Sequence, residues 1–233
     1  MNIKYKLPRQ TIKQANIKDI IERELDRQGT PLEPASKKHV KELSKVTQTI
    51  QKTGLPDYLV LKKISDQIGH GIFVHPNAKA VKKGQLIGPY SGVLSIEVEN
   101  KPDDSAYAFA LVTEMKLNKE EQKRLDSKNK FAPSRHYALN LDANNKGNFT
   151  RFINHCESPN VEAITHLIPP NTEGLEEMPI EVLYIAKKTI KPGEQLLVCY
   201  EDDDETYWDA YGVEPVTMDP KTYRLGPDLN FIK

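Results

Sequence analysis

Apolar residues recur at two different spacings along the chain, and the spacing changes at Pro56. Before it, Ile17, Ile20, Ile21 and Leu25 stand three and four positions apart, with Gly29 and Pro31 behind them. That pattern predicts a helix over residues 12–28. Pro34 then suits a helix start, and Val40, Leu43, Val46 and Ile50 form a second stripe that stops before Gly54 and Pro56. A helical hairpin is the simplest arrangement. Each stripe is one-sided and requires cover from the rest of the chain or from a second copy, so a homodimer through the N-terminal helices is one expected outcome.

After Pro56, short apolar runs are broken by Gly, Pro and Asn: Tyr58–Ile64, Gly71–Val74, Gln85–Tyr90, Tyr107–Val112, Tyr137–Leu141, Val182–Ala186 and Gln195–Tyr200. These are strand lengths with turn punctuation, and they predict a mainly β domain. Inside it, Lys116–Lys130 carries Leu117, Glu120, Glu121, Arg124 and Leu125, the pattern of a short charged helix in an insertion at about 114–135. The expected division is a helical region over 1–55, a main domain over 56–208 and a C-terminal tail over 209–233. No repeat of fixed period is present, which excludes a solenoid or propeller.

Composition narrows the function classes. Hydrophobic residues are 38% of the 233, mean hydropathy is −0.60, and no apolar run approaches the ~20 residues that cross a bilayer. No membrane partner is expected. Lys4, Lys6, Arg9 and Gln10 interrupt Met1–Lys13, so no standard signal peptide is read there. The expected location is cytoplasmic or nuclear, or inside another cell after delivery by a specialised export system. Cys156 and Cys199 are the two cysteines, too few for a disulfide framework or a four-cysteine zinc site. The net charge is zero but unevenly spread: residues 1–55 hold 12 Lys/Arg against 6 Asp/Glu, and Glu194–Asp209 holds seven acids and no base. A basic arm of this kind favours nucleic acid or an acidic partner, or is simply a solvated helix face; nucleic acid stands here as the lesser alternative.

Three segments carry candidate chemistry. Gly69-His70-Gly71 sets two glycines at a strand start, where the backbone either turns sharply or lets a ligand approach closely. Arg151–Asn160 mixes Arg151, Asn154, His155 and Asn160 with apolar residues in a stretch too irregular for a strand; buried polar groups there either stitch loops together or face a ligand. Gly193–Tyr200 is a turn and strand ending in a tyrosine, with Tyr207 and Trp208 close behind. His70 and His75 lack a third ligand nearby, so no metal site is expected.

Taken in order, these segments resemble the SET domain of protein lysine methyltransferases over about residues 57–208. Gly69-His70-Gly71 is similar to the family's opening Gly-x-Gly. Lys83–Ile87 and Tyr90-Ser91-Gly92 match the following strand pair, and Tyr107-Ala108-Phe109 resembles its Tyr-x-Phe. Asn148 with Arg151–Asn160 matches the Arg-Phe-x-Asn-His signature, and Gly193–Leu196 leads to Tyr200 at the catalytic tyrosine's position. The resemblance implies a fold of short curved sheets in which the Asn-His segment and the last strand form a threaded pseudoknot. It implies S-adenosylmethionine as cofactor, bound by Gly69, His70, Gly71, Tyr107, Arg151, Asn154, His155, Tyr200 and a stacked Trp208. Tyr200, Tyr90 and Tyr107 are the implied catalytic tyrosines lining a lysine channel.

The resemblance has gaps. Cys156-Glu157 follows Asn-His where Ser-Cys is common, zinc-binding cysteine clusters are missing from both flanks, and Glu201 stands where glycine often follows the tyrosine. Val198 occupies a position whose aromatic residue often tunes the number of methyls, which leaves that number open. The expected activity is methyl transfer from S-adenosylmethionine to a lysine of a basic protein such as a histone or histone-like protein. The alternative is a SET-fold module that binds peptide or cofactor without turnover. A solvated loop is the plain reading of the acidic run Glu201–Glu205; the functional one is attraction of a Lys/Arg-rich substrate.

Overall fold

A computed structural model describes residues 17–98, 107–125, 136–168, 180–200, 218 and 222–232. The elements in chain order are α1 (Lys18–Arg27), β1 (Glu33–Pro34), α2 (Lys37–Thr53), β2 (Leu59–Ser65), β3 (Gly69–Val74), β4 (Leu86–Tyr90) and β5 (Val93–Val98). There follow β6 (Ala108–Met115), α3 (Lys119–Leu125), β7 (Tyr137–Asp142), a 3-10 turn (Phe149–Phe152), β8 (Asn154–His155), β9 (Val161–Leu167) and β10 (Ile180–Ala186). The last are β11 (Leu197–Val198), β12 (Arg224–Leu225) and β13 (Phe231–Ile232).

The strands make small sheets. The largest has the order β1-β9-β10-β4, three strands form β5-β7-β6, and β2-β3 and β12-β13 are antiparallel pairs. Between them β8 and β11 form a parallel ladder of two residues each, Leu197 opposite Asn154 and Val198 opposite His155. This is where the Asn-His segment meets the last strand.

Both N-terminal stripes are covered by the chain itself. On α1, Ile20, Ile21 and Leu25 are buried, and the helix lies on β6. Full burial of such a side chain is worth about 1.5–3 kcal/mol. Its polar side is tied to the insertion: buried Glu24 accepts from Arg23 and Arg27, Arg23 reaches Glu121 of α3, and Arg124 pairs with Asp19 at 2.9 Å. The charges of the insertion helix thus bind α1 rather than only facing water.

Ser36 caps α2 by accepting from His39 N at 3.1 Å, and Gly54 ends it at φ 90°, a left-handed conformation that suits glycine. Leu43 packs with Leu86, Leu183 and Ile185 on one face of the large sheet. The other face, with Val182, Tyr184 and Ala186, joins the main core around Tyr90, Leu94 and Phe149. β10 is buried along its whole length because it lies between those two layers.

Candidate active site

The two glycines of the first motif do different jobs. Gly69 sits at φ +78°, which only glycine adopts readily, and makes the turn. Gly71 permits contact: a Cβ there would stand 2.6 Å from Gln195 Nε2, 2.8 Å from Ile64 Cδ1 and 3.2 Å from Asn154 Nδ2. Asn154 Nδ2 also donates to His70 O at 3.1 Å, which fixes β8 against β3.

Asn160 performs the same service for the last segment. Its Nδ2 donates to Gln195 O at 2.7 Å and its Oδ1 accepts from Leu197 N at 2.8 Å, so one buried side chain replaces two missing ladder bonds. Cys156 N adds a bond to Val198 O at 2.9 Å. Further back, Asn148 Nδ2 donates to Pro89 O at 2.6 Å and its Oδ1 accepts from Thr150 N, joining the 3-10 turn to β4.

These clamps leave Tyr200 at the end of β11 with its ring 5.4 Å from that of His155. Tyr200 N donates to His155 Nδ1 at 3.0 Å, so that nitrogen is an acceptor and the neutral ring carries its proton on Nε2. Tyr200 OH donates to Ile153 O at 2.8 Å, and Tyr90 OH donates to Tyr107 O. Each hydroxyl gives its single proton to a backbone carbonyl, which fixes the direction of its ring.

The ring of Tyr90 lies 5.5 Å from Phe109 and 5.7 Å from Tyr184. Burial, and secondarily the neighbouring Tyr200, hold the Tyr184 hydroxyl well above its usual range, so it stays protonated. Tyr184 therefore packs on Tyr90, Tyr90 bonds the backbone of Tyr107, and Tyr200 lies near enough to Tyr184 to act on its hydroxyl. The sequence reading missed Tyr184 and Gln195. Tyr184 lies in the apolar run Val182–Ala186 and looks like core, while Gln195 carries no signal until its nearness to Gly71 is seen.

Arg151 is placed by packing and backbone. Its Nη1 donates to Ala143 O at 2.7 Å and Asn144 O at 2.9 Å, and its guanidinium lies 4.7 Å from the Phe152 ring and 5.3 Å from that of Tyr107. The His70 ring meets Phe152 from another side at 5.9 Å. Gly69, His70, Gly71, Asn154, His155 and Tyr200 are thus gathered around the β3, β8 and β11 junction, with Tyr90, Tyr107 and Arg151 adjoining it. Trp208 and the run Glu201–Glu205 lie outside the described residues. Among the described residues no three His, Cys, Asp or Glu side chains group as metal ligands.

The pattern described as SET domain matches residues 69–201, more than half of the chain. The chain belongs to the SET-domain family. This is a family of methyltransferases, and the segments gathered at the junction are those by which the sequence resembles it. No match was found among curated protein sequences. Among solved structures, the ATXR5 SET domain in complex with histone H3 dimethylated on R26 is similar with a TM-score of 0.53, 13% identity and coverage of 87% of this chain and 84% of that one. ATXR5 with histone H3.1 monomethylated on R26 gives 0.52, 14%, 88% and 81%. The Chaetomium thermophilum polycomb repressive complex 2 gives 0.41 and 22%, with 66% of this chain covered. The SET-domain chain spans about a sixth of the length of the polycomb complex chains it matches, 16% and 17%. The ATXR5 similarity shows the fold.

Proposed function

We propose that this SET-domain protein is a protein-lysine N-methyltransferase that uses S-adenosylmethionine and acts on a basic protein such as a histone or histone-like protein. The observation that carries the reading is the position of Tyr200, held through its hydroxyl and its backbone at the β8 and β11 junction beside the Gly71 cradle.

The cradle suits the proposed cofactor. Gln195 is 2% exposed and its Nε2 has no hydrogen-bond partner among the described residues, while Asn154 Nδ2 lies against the same glycine. A buried amide donor without a partner favours a ligand acceptor, such as the carboxylate at the amino-acid end of S-adenosylmethionine. When bound, that cofactor supplies a methyl group on a sulfonium, which a lysine amine displaces in line. Gly71, Asn154 and Gln195 would hold its amino-acid end, and His155 braces the Tyr200 backbone.

This chain's residues then position and desolvate. Tyr90, Tyr107 and Tyr200, with Tyr184 packed on Tyr90, would make an aromatic wall for an aliphatic lysine stem and hold its nitrogen in position. The incoming lysine must be neutral, and at pH 7 deprotonation of an ordinary lysine costs about 5 kcal/mol. Desolvation by the wall lowers that cost. The wall would hold the amine, its proton already lost to water, in line with the methyl that the cofactor would supply.

Methyl transfer from labelled S-adenosylmethionine to a panel of basic proteins, run beside Tyr200→Phe, tests the proposal. Base-stable label on lysine that falls roughly 10²- to 10³-fold in the variant supports it. Absence of cofactor binding by calorimetry removes it. Cofactor binding without transfer to any member of the panel would favour the binding-module alternative. Steering by Glu201–Glu205 is part of the substrate proposal: Asp202, Asp203 and Asp204 changed to Asn should raise KM for a basic peptide at low salt, and an unchanged KM removes steering.

A further inference from the structure

We infer that a lysine-rich surface around Gly84 binds the sugar–phosphate backbone of a nucleic-acid duplex. Two turns distant in sequence build it. Residues 78–84 contain Lys79, Lys82 and Lys83 and no acid; residues 187–193 contain Lys187, Lys188 and Lys191 and no acid. The fold sews the two together. Val81 and Ile190 exchange both backbone hydrogen bonds at 2.9 Å, Gly84 N donates to Ala186 O at 2.8 Å, and Ala186 N donates to Gln85 O at 3.0 Å.

The start of α2 arrives at the same place. Lys38 Nζ lies 2.9 Å and His39 Nε2 3.3 Å from Gly84 O. The outward stripe of that helix carries Lys37, Lys41 and Lys45, all exposed. A solvated helix face accounts for that stripe by itself, and residues 1–55 gave no stronger signal. It does not account for two acid-free lysine turns converging on the helix start in a chain whose formal net charge is zero.

Glu42 is held by Leu86 N at 3.2 Å and by Lys38 at 3.8 Å, and Glu194, which closes the second turn by accepting from Lys191 N at 2.8 Å, lies 4.0 Å from Arg224.

The chemistry of the patch selects its partner. It holds lysines and no arginine, so it offers point charges for phosphates rather than the forked donors that read bases. The apolar residues of the turns, Val81 and Ile190, are 1% and 0% exposed, so nothing projects to enter a lipid surface. A duplex backbone fits better than a membrane. The first turn lies at the start of β4 and Tyr90 at its end, about 13 Å away at about 3.3 Å per residue. The second turn leads into Gln195 four residues after Lys191, so the patch borders the cradle, but none of its lysines is among the residues assigned to methyl transfer.

The test is fluorescence anisotropy of the full chain with labelled DNA and RNA duplexes of about 24 base pairs, over salt from about 50 to 200 mM. Five phosphate contacts would give a log–log slope of about −4.5 and about a 500-fold loss of affinity across that range. The patch variant combines Lys82→Glu, Lys83→Glu, Lys187→Glu and Lys188→Glu. The control makes the same charge change elsewhere, with Lys63→Glu, Lys116→Glu, Lys119→Glu and Lys123→Glu.

Binding to either duplex that weakens at least about 10-fold more in the patch variant than in the control supports the inference, with a slope shallower by about 3. Equal losses in both variants would reduce the effect to net charge and overturn it. So would no salt-sensitive duplex binding, or stronger binding to anionic lipid vesicles than to either duplex. Thermal melts of both variants establish that they fold.

Discussion

Replacing Glu181 by glutamine is expected to flatten the dependence of stability on pH between about 5 and 8. The residue lies on β10 and is 2% exposed. By strand alternation it shares a face with Leu183 and Ile185, which pack with Leu43 of α2. His166 stands opposite on β9, with Nδ1 3.1 Å from Glu33 O, and Glu181 Oε1 has no hydrogen-bond partner among the described residues. Burial pushes the carboxyl from 4.5 up to about 8. Below the unfolded value both states are protonated and there is no penalty. Between the two values the unfolded chain ionises while the folded one keeps its proton, so stability falls by about 1.4 kcal/mol per pH unit and levels off above the folded value. From pH 5 to pH 8 the loss is about 3 to 4 kcal/mol, a large share of the 5–15 kcal/mol typical of a domain. Glutamine does not ionise, so the gap in Tm between variant and parent should widen by roughly 10 °C over that interval. Other titrating groups are common to both proteins and cancel in the difference, as does any fixed cost of burying the amide. Parallel Tm–pH curves would refute the reasoning.

Three further outcomes follow from the junction. Asn160→Ala removes two buried hydrogen bonds and should cost about 2–4 kcal/mol in urea unfolding, with weaker cofactor binding because the strand before Tyr200 loses its clamp. Gly71→Ala puts a methyl against Gln195, Ile64 and Asn154; strain of about 1–3 kcal/mol should lower Tm and raise the Kd for S-adenosylmethionine, and an unchanged Kd would deny the cradle its binding role. Under chemistry-limited conditions the methyl-transfer rate should rise from about pH 7 to 9 as more substrate lysine is neutral; a flat profile would point to a dedicated base instead.

The features legible in the sequence are those set by periodicity and by residue type. The stripes of α1 and α2 could be read because burial on one side of a helix repeats every three or four residues. β9 was not anticipated: Glu162 and His166 interrupt its apolar character, and most of the strand is only half-buried. β10 was placed to begin at Val182 because Glu181 looks like a boundary, whereas the strand starts at Ile180 and takes the carboxyl inside. The run Gln195–Tyr200 reads as one strand, yet its residues pair with two different segments. Gln195 bridges to Phe73, and Leu197 and Val198 pair with Asn154 and His155.

The junction explains why a site can be named from sequence and still not be drawn from it. Elements of two residues cannot hold themselves by ladder bonds, so side chains take over that task. Asn148, Asn154 and Asn160 bond to backbone 59, 84 and 35 positions away, and His155 to a residue 45 away. Residue type reveals the donors and acceptors, because polar groups among apolar neighbours require partners. Only the course of the chain chooses which backbone groups they meet. The same logic separates Tyr184 from Tyr200: one is hidden in an apolar run and reaches the site through the register of β10 on β4, the other ends a motif. A buried polar side chain with no local partner is therefore the sequence feature most directly tied to this site, and Gln195, whose amide nitrogen beside Gly71 has none among the described residues, is where that rule leads from fold to ligand.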